Sequence, residues 1–145
     1  MAGASDATAT PRVVASTGDL AALAAAVGGP DVRVDSLAAS TEDPHYVDPR
    51  PAFVVTLSRA DLLVVNGSEL EVGWIPPLVQ QSRNARLQPG RPGYLDASTV
   101  VDLVGARGAV DRAQGDVHPG GNPHFTIDPR RALAVLEAIR TRLSE

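Results

Sequence analysis

The sequence predicts an α/β fold, a small and mainly parallel sheet flanked by helices. Two observations predict it. Short apolar runs alternate with segments of helical periodicity, and turns containing Gly, Pro or Asn separate one from the next. The run Leu62–Val65 is apolar at every position, which is typical of a strand covered on both faces of a parallel sheet.

The expected strands are segments in which apolar side chains cluster between turns. They are Val13–Ala15, Val32–Leu37, Leu62–Val65 and, as a shorter candidate, Tyr94–Leu95. The connections at 40–51 and 105–123 are polar, rich in Pro or Gly, and expected as loops. In parallel sheets, ligands bind in loops beyond the carboxyl ends of the strands, so these connections are where a site is expected.

Four helices are expected from apolar spacing and from residues that start or stop helices. They lie at Thr17–Val27, from Pro51, from Glu69 with an interruption or restart at Pro76-Pro77, and from Asp128 to about Leu143. Asp128 before Pro129 is a cap followed by proline at the first helical position. Glu69 and Glu71 are interpreted as acidic residues at a helix start, where carboxylates suit the helix dipole.

Composition restricts the class of protein. The chain has 145 residues, 43% of them hydrophobic, and a formal net charge of −4. This predicts one globular domain over 12–145 after a flexible segment at 1–11 that lacks the features of a signal peptide. The acidic balance disfavours nucleic-acid binding. The absence of Cys and Lys excludes disulfides, thiolate–zinc sites, and P-loop or Schiff-base chemistry.

Three histidines are the candidate metal ligands, each beside a proline in a loop. They occur as Pro44-His45, His118-Pro119 and Pro123-His124. Neutral imidazole is a common ligand of zinc and similar ions, and an adjacent proline reduces the entropy lost on metal capture. Nearby carboxylates could bind the metal, orient an imidazole or cap a helix; these are Asp43, Asp48, Asp116 and Asp128. The spacing matches no closed zinc motif, so ordinary surface histidines remain an alternative.

Two other functions remain open from the residues alone. One is a small metallohydrolase that uses Asp116, His118 and His124 around a metal with an open position, although no clear general base or oxyanion donor accompanies them. The other is a metal-free α/β interaction module. Zinc titration separates the metal-free module from the others, and an esterase and phosphatase panel separates the hydrolase.

Three segments together resemble one known family. They are DPHYVDPRP (43–51), LSRADLLVVNGSELEVGWIPPLV (57–79) and GDVHPGGNPHFTIDPRRAL (115–133). They are similar to the amino-terminal lobe of the metal-binding substrate-binding proteins of zinc and manganese ABC transporters, most closely to the zinc branch. The resemblance covers the chain from about Arg12 to its end. It implies one lobe of a two-lobed, periplasmic-binding-protein-type fold.

The resemblance also implies a function. The family captures a divalent metal, Zn²⁺ first with Mn²⁺ as the alternative, and delivers it to a membrane permease in the periplasm or at the cell surface without bond chemistry. Its first-lobe ligands match His45 and His124. Accessory roles, in ligation or in shaping the cleft, are expected for His118, Asp43, Asp48 and Glu69. The second lobe, its two ligands and the long backbone helix are expected to be missing from 12–145.

One further expectation concerns the surface of the cleft. In a two-lobed protein, each lobe covers the inner face of the other, so apolar residues near the histidines are expected to be exposed here. The candidates are Trp74, Ile75 and Phe125, although core packing is the favoured interpretation of Trp74 taken alone. An exposed apolar patch of several hundred Å² is a common association surface, and self-association through the cleft is therefore expected.

Overall fold

The architecture is a four-stranded parallel sheet with helices on both faces. The computed structural model describes residues 9–105, 118 and 120–145. The strands are β1 (Arg12–Ala15), β2 (Arg33–Ser36), β3 (Leu62–Val65) and β4 (Tyr94–Asp96). Their order is β2-β1-β3-β4, and each neighbouring pair is parallel. The predicted α/β class is confirmed, and the short candidate at Tyr94 is a true edge strand.

Two pairs of helices cover the sheet. The helices are α1 (Gly18–Gly28), α2 (Pro51–Ser58), α3 (Ile75–Ser82) and α4 (Pro129–Ser144). Helix α1 packs against α4, and α2 packs against α3. Short 3-10 turns lie at Gly29–Asp31, Ala85–Leu87, Ala97–Val100 and Phe125–Ile127. In the part of the chain that the structure describes, no helix is long and apolar enough to cross a membrane.

The core is split by the sheet into two layers. Successive strand side chains point to opposite faces, so Val14 and Leu63 pack with α2 and α3 while Val13 and Val64 pack with α1 and α4. All four of these side chains are at most 1% exposed. Burying such a side chain stabilises a fold by about 1.5–3 kcal/mol. The two central strands therefore hold both layers together and fix the edge from which the site loops emerge.

The start of the third helix differs from the expectation. The chain does not turn into a helix at Glu69, because Gly67, Ser68 and Glu69 have φ angles of 80°, 50° and 65°. Such left-handed residues cannot continue into a right-handed helix. Turns occupy the chain from there until α3 begins at Ile75. The two following prolines occupy its first turn, where a missing backbone N–H costs no intrahelical bond.

The two predicted helix caps have different outcomes. Asp128 caps α4, since its side chain accepts a hydrogen bond of 2.9 Å from the backbone N–H of Arg130. Thr17 occupies the N-cap position of α1, but its side chain makes no capping bond there. Its hydroxyl donates instead to the carboxylate of Asp19. Of the expected flexible segment at 1–11, residues 1–8 lie outside the described residues.

Candidate metal site

His45 lies in the loop that follows β2, at the carboxyl edge of the sheet. The loop is anchored by Trp74, whose indole Nε1–H donates a 2.8 Å hydrogen bond to the carbonyl oxygen of Pro44. Because Trp74 is 2% exposed and packed in the core, this bond ties the loop to a rigid part of the molecule. The imidazole of His45 is 13% exposed. It is therefore held in a partly enclosed position rather than free in solvent.

Asp43 orients the ring of His45. Its Oδ1 accepts hydrogen bonds from the backbone N–H of His45 at 3.0 Å and from the ring Nδ1 at 2.7 Å. These bonds, the backbone one first, lower the pKa of Asp43 below its ordinary value. An ionised carboxylate only accepts hydrogen bonds, so Nδ1 of His45 carries the hydrogen. In the neutral ring, Nε2 then keeps its lone pair, which is the state that a metal ligand requires.

His124 is held at the same edge by the turn after β3. The side-chain amide of Asn66 donates 2.8 Å to the carbonyl of Pro123, and the hydroxyl of Ser68 donates 3.0 Å to the carbonyl of Gly121. The backbone N–H of His124 donates 2.9 Å to Oδ1 of Asn122. Three hydrogen bonds thus fix the backbone that carries the imidazole.

The histidine rings lie together. The ring centroids of His45 and His124 are 5.7 Å apart, tilted by 58°, so their predicted convergence is confirmed. His118 is closer still to His45, with 3.1 Å between the two Nε2 atoms and 5.2 Å between the centroids. As placed, no three or more His, Cys, Asp or Glu side chains among residues 9–105, 118 and 120–145 form a ready metal-holding group.

The predicted carboxylates are spread more widely. Asp43 contacts His45, whereas Asp48 is exposed and Glu69 lines a different cleft with Tyr94 and Asp96. Asp116, proposed for the metallohydrolase alternative, lies outside the described residues. The metal-ligand roles of the histidines, and any accessory role of Asp48 and Glu69, remain predictions.

Sequence reasoning missed the buried carboxylate of Glu71. It accepts hydrogen bonds from the hydroxyl of Ser16 at 2.5 Å and from the backbone N–H groups of Asn66 at 2.7 Å and Gly67 at 3.1 Å. Its burial raises its pKa above the ordinary value, against the opposing effect of these bonds. Glu71 joins the ends of β1 and β3 and holds Asn66, which in turn holds the His124 loop. No local signal marks it, because its partners come from separate segments.

The expectation that Trp74, Ile75 and Phe125 form an exposed apolar patch is wrong. Trp74, Ile75 and Phe125 are 2–4% exposed and belong to the core. Trp74 and Ile75 pack in one core layer and Phe125 packs in the other. The exposed apolar side chains beside the histidines are instead Tyr46 at 78% and Ile127 at 83%. Ile127 and His124 line a cleft of about 340 Å³ between the two loops and the start of α1.

The family model described as zinc-uptake complex component A, periplasmic (ZnuA), matches residues 13–145. The chain belongs to the ZnuA family. It is 29% identical over 137 residues to the metal ABC transporter substrate-binding lipoprotein ScbA of Streptococcus cristatus, covering 92% of this chain and 41% of that protein. It is 28% identical over 137 residues to the manganese ABC transporter substrate-binding lipoprotein scaA of Streptococcus gordonii, with the same coverage. The chain thus spans about two fifths of these relatives.

Solved structures share the fold of this ZnuA-family chain. The periplasmic zinc-binding protein TroA from Treponema pallidum superimposes with a TM-score of 0.70 at 23% identity, covering 92% of this chain and 43% of that one. The Mn-bound periplasmic metal-binding protein from Candidatus Liberibacter asiaticus gives a TM-score of 0.71 at 20% identity, with 92% and 45% coverage. At these identities the likeness concerns the fold, and the chain has the fold of one part of such periplasmic proteins.

Proposed function

We propose that this chain forms part of the metal-capturing component of an ABC importer, with His45 and His124 as ligands of the transported ion. The observation that carries the proposal is the convergence of the two rings, 5.7 Å apart, on loops that are separately anchored at one sheet edge. Membership of the ZnuA family supports it. The ion is cargo, so the chain binds and releases it and performs no bond chemistry.

The donor chemistry favours zinc, with Mn²⁺ as the alternative cargo. Imidazole nitrogen is a preferred zinc ligand at about 2.0–2.1 Å, whereas manganese sites rely more on carboxylate oxygen. The nitrogen atoms of His45 and His124 can approach one ion after side-chain rotation, since their rings are neighbours. Tetrahedral zinc needs about four donors, so other protein groups or water would complete the coordination.

The test is calorimetric titration of the 145-residue chain with Zn²⁺ and with Mn²⁺. We expect His45→Ala and His124→Ala each to abolish zinc binding. A matched control is Val72→Ala, because Val72 is 67% exposed and contributes no donor atom. Zinc binding that survives unchanged in both histidine variants would refute the proposal.

The proposed function also implies a partner and a cellular location for the chain. In this proposal the partner is the ABC permease, and the site of action is the periplasm or the cell surface. The relatives ScbA and scaA are substrate-binding lipoproteins of ABC transporters, and the family model is described as periplasmic. The expected behaviour is zinc-dependent binding to membranes that contain the permease, lost in His124→Ala. Recovery of the native protein only from the cytoplasm of the producing cell would contradict the location.

Self-association through the cleft is part of the same proposal, with different residues from those expected. Tyr46 and Ile127, exposed beside the histidines, would form the apolar contact, and two copies could share one ion. Sedimentation with and without zinc tests this, and replacing both residues with serine should weaken the association. A strict monomer at high concentration under both conditions would contradict it.

A further inference from the structure

We infer that His118 is a third metal-ligating residue, which binds the same ion as His45 through its Nε2 atom. This inference rests on the proposed metal-capture function and extends it. The resemblance to the family implies His45 and His124 as ligands and does not require His118. The structural reason is the position of His118, whose Nε2 lies 3.1 Å from Nε2 of His45.

The distance between the two nitrogens is that of neighbouring ligands. With zinc–nitrogen bonds of about 2.0–2.1 Å at a tetrahedral angle, two imidazole nitrogens lie about 3.3–3.4 Å apart. The Nε2 atoms of His45 and His118 are 3.1 Å apart. A shift of a few tenths of an ångström, within the freedom of a loop side chain, therefore allows both nitrogens to contact one ion.

The hydrogen bonding of His45 explains what the metal would replace. With Nδ1 of His45 donating to Asp43, the Nε2 of the neutral ring accepts the hydrogen carried by Nε2 of His118. One hydrogen then occupies the space between the two nitrogens. On metal binding, that hydrogen leaves Nε2 of His118 to solvent and solvent returns one to its Nδ1. Both rings remain neutral, and the ion takes the place of the shared hydrogen.

The ring arrangement leaves room for His124 in the same coordination sphere. The rings of His45 and His118 are nearly parallel, at 25°, whereas the ring of His124 is tilted by 58° to that of His45. His45 is thus the common neighbour of both other imidazoles. Rotation of the side chain of His124 would add a third nitrogen from a separate direction, as a tetrahedral ion requires.

The decisive measurement is the number of imidazoles around bound zinc, obtained by X-ray absorption spectroscopy on the chain loaded with one equivalent. We expect three in the parent and two in His118→Ala. Competition with a chelator should show at least about a 100-fold loss of affinity, because an outer hydrogen-bonding partner already costs about 10–100-fold. An equal number of imidazoles in parent and variant would overturn the inference.

A second variant separates ligation from hydrogen bonding. His118→Gln keeps an amide N–H that can donate to His45, but an amide is a poor zinc ligand. We expect the same affinity as in His118→Ala. Two results would overturn the inference: parental zinc affinity in His118→Gln, or tighter zinc binding in His118→Ala. Either one would show that His118 only donates a hydrogen bond to Nε2 of His45. If His45→Ala and His124→Ala abolish binding while His118→Ala leaves the zinc affinity unchanged, this inference fails alone. If none of the three substitutions changes binding, the proposed function fails.

Discussion

Replacing Trp74 with phenylalanine would test whether the core positions the His45 loop. The indole donates its hydrogen bond to Pro44 from a site that is 2% exposed. Phenylalanine keeps most of the apolar burial and removes the donor. We therefore expect a moderate loss of stability together with a specific loss of metal affinity.

The expected magnitude follows from two contributions. Loss of the hydrogen bond costs about 0.5–1.5 kcal/mol. The smaller ring leaves part of the indole site empty, and this adds a fraction of the roughly 3–5 kcal/mol that truncation of a buried Trp to Ala costs. The sum is a loss of about 2–3 kcal/mol in the free energy of unfolding. Zinc affinity should fall by about tenfold, the lower end of the range for outer partners of a ligand.

Urea unfolding and zinc competition measure the two effects on the same samples. The free energy of unfolding is obtained from the midpoint at an unchanged denaturant slope. Asn84→Ala is the matched control, because its amide donates 2.9 and 2.8 Å bonds to the carbonyls of Leu57 and Ala60 in a connection that carries no histidine. It should destabilise the fold by about 1–3 kcal/mol and leave zinc affinity unchanged. If both variants lose the same affinity, affinity follows global stability and the anchoring argument is refuted.

Two further predictions concern the carboxylates. Burial raises the pKa of Glu71 above its ordinary 4.5. Between the unfolded and the folded pKa, the folded state therefore binds more protons than the unfolded state. The stability of the parent should fall as pH rises from about 4.5 through the folded pKa. Urea unfolding between pH 4 and 8 should show that Glu71→Gln gains stability relative to the parent as pH rises; a relative loss would contradict the burial argument. Asp43→Ala should weaken zinc binding by about 10–100-fold with little change in the thermal midpoint, since Asp43 is exposed. Unchanged affinity by calorimetry would show that the orientation of His45 does not depend on Asp43.

Much of the fold follows from local patterns in the sequence. The apolar run at Leu62–Val65 can be satisfied only in a strand covered on both faces, and Asp128-Pro129 combines two helix-start preferences in adjacent residues. The convergence of His45 and His124 follows from the rule that loops at the carboxyl ends of parallel strands meet at one edge. These features depend on short-range preferences and on one general rule of topology.

Other features depend on contacts between distant segments. Ser68 and Glu69 adopt positive φ angles, which are uncommon for residues other than glycine. Residue types alone do not predict such a conformation, and for this reason the sequence indicates a helix from Glu69 where the structure has turns. The indole of Trp74 donates to the carbonyl of Pro44, thirty positions earlier, and no local pattern predicts that this residue anchors the His45 loop. The contact between His118 and His45 joins residues separated by 73 positions, and no local spacing encodes it.

The segment from Asn66 to Trp74 has a consequence for how this family could be altered. Asn66 and Ser68 hold the loop of one histidine, and Trp74 holds the loop of the other. None of the three is a candidate ligand, yet together they set the separation of the imidazoles. Grafting this nine-residue segment from a relative with a different metal preference is therefore a way to change the spacing of the ligands without replacing any of them. Conversely, replacing one ligand residue alone would leave the separation of the two ligand positions unchanged, because this segment sets it.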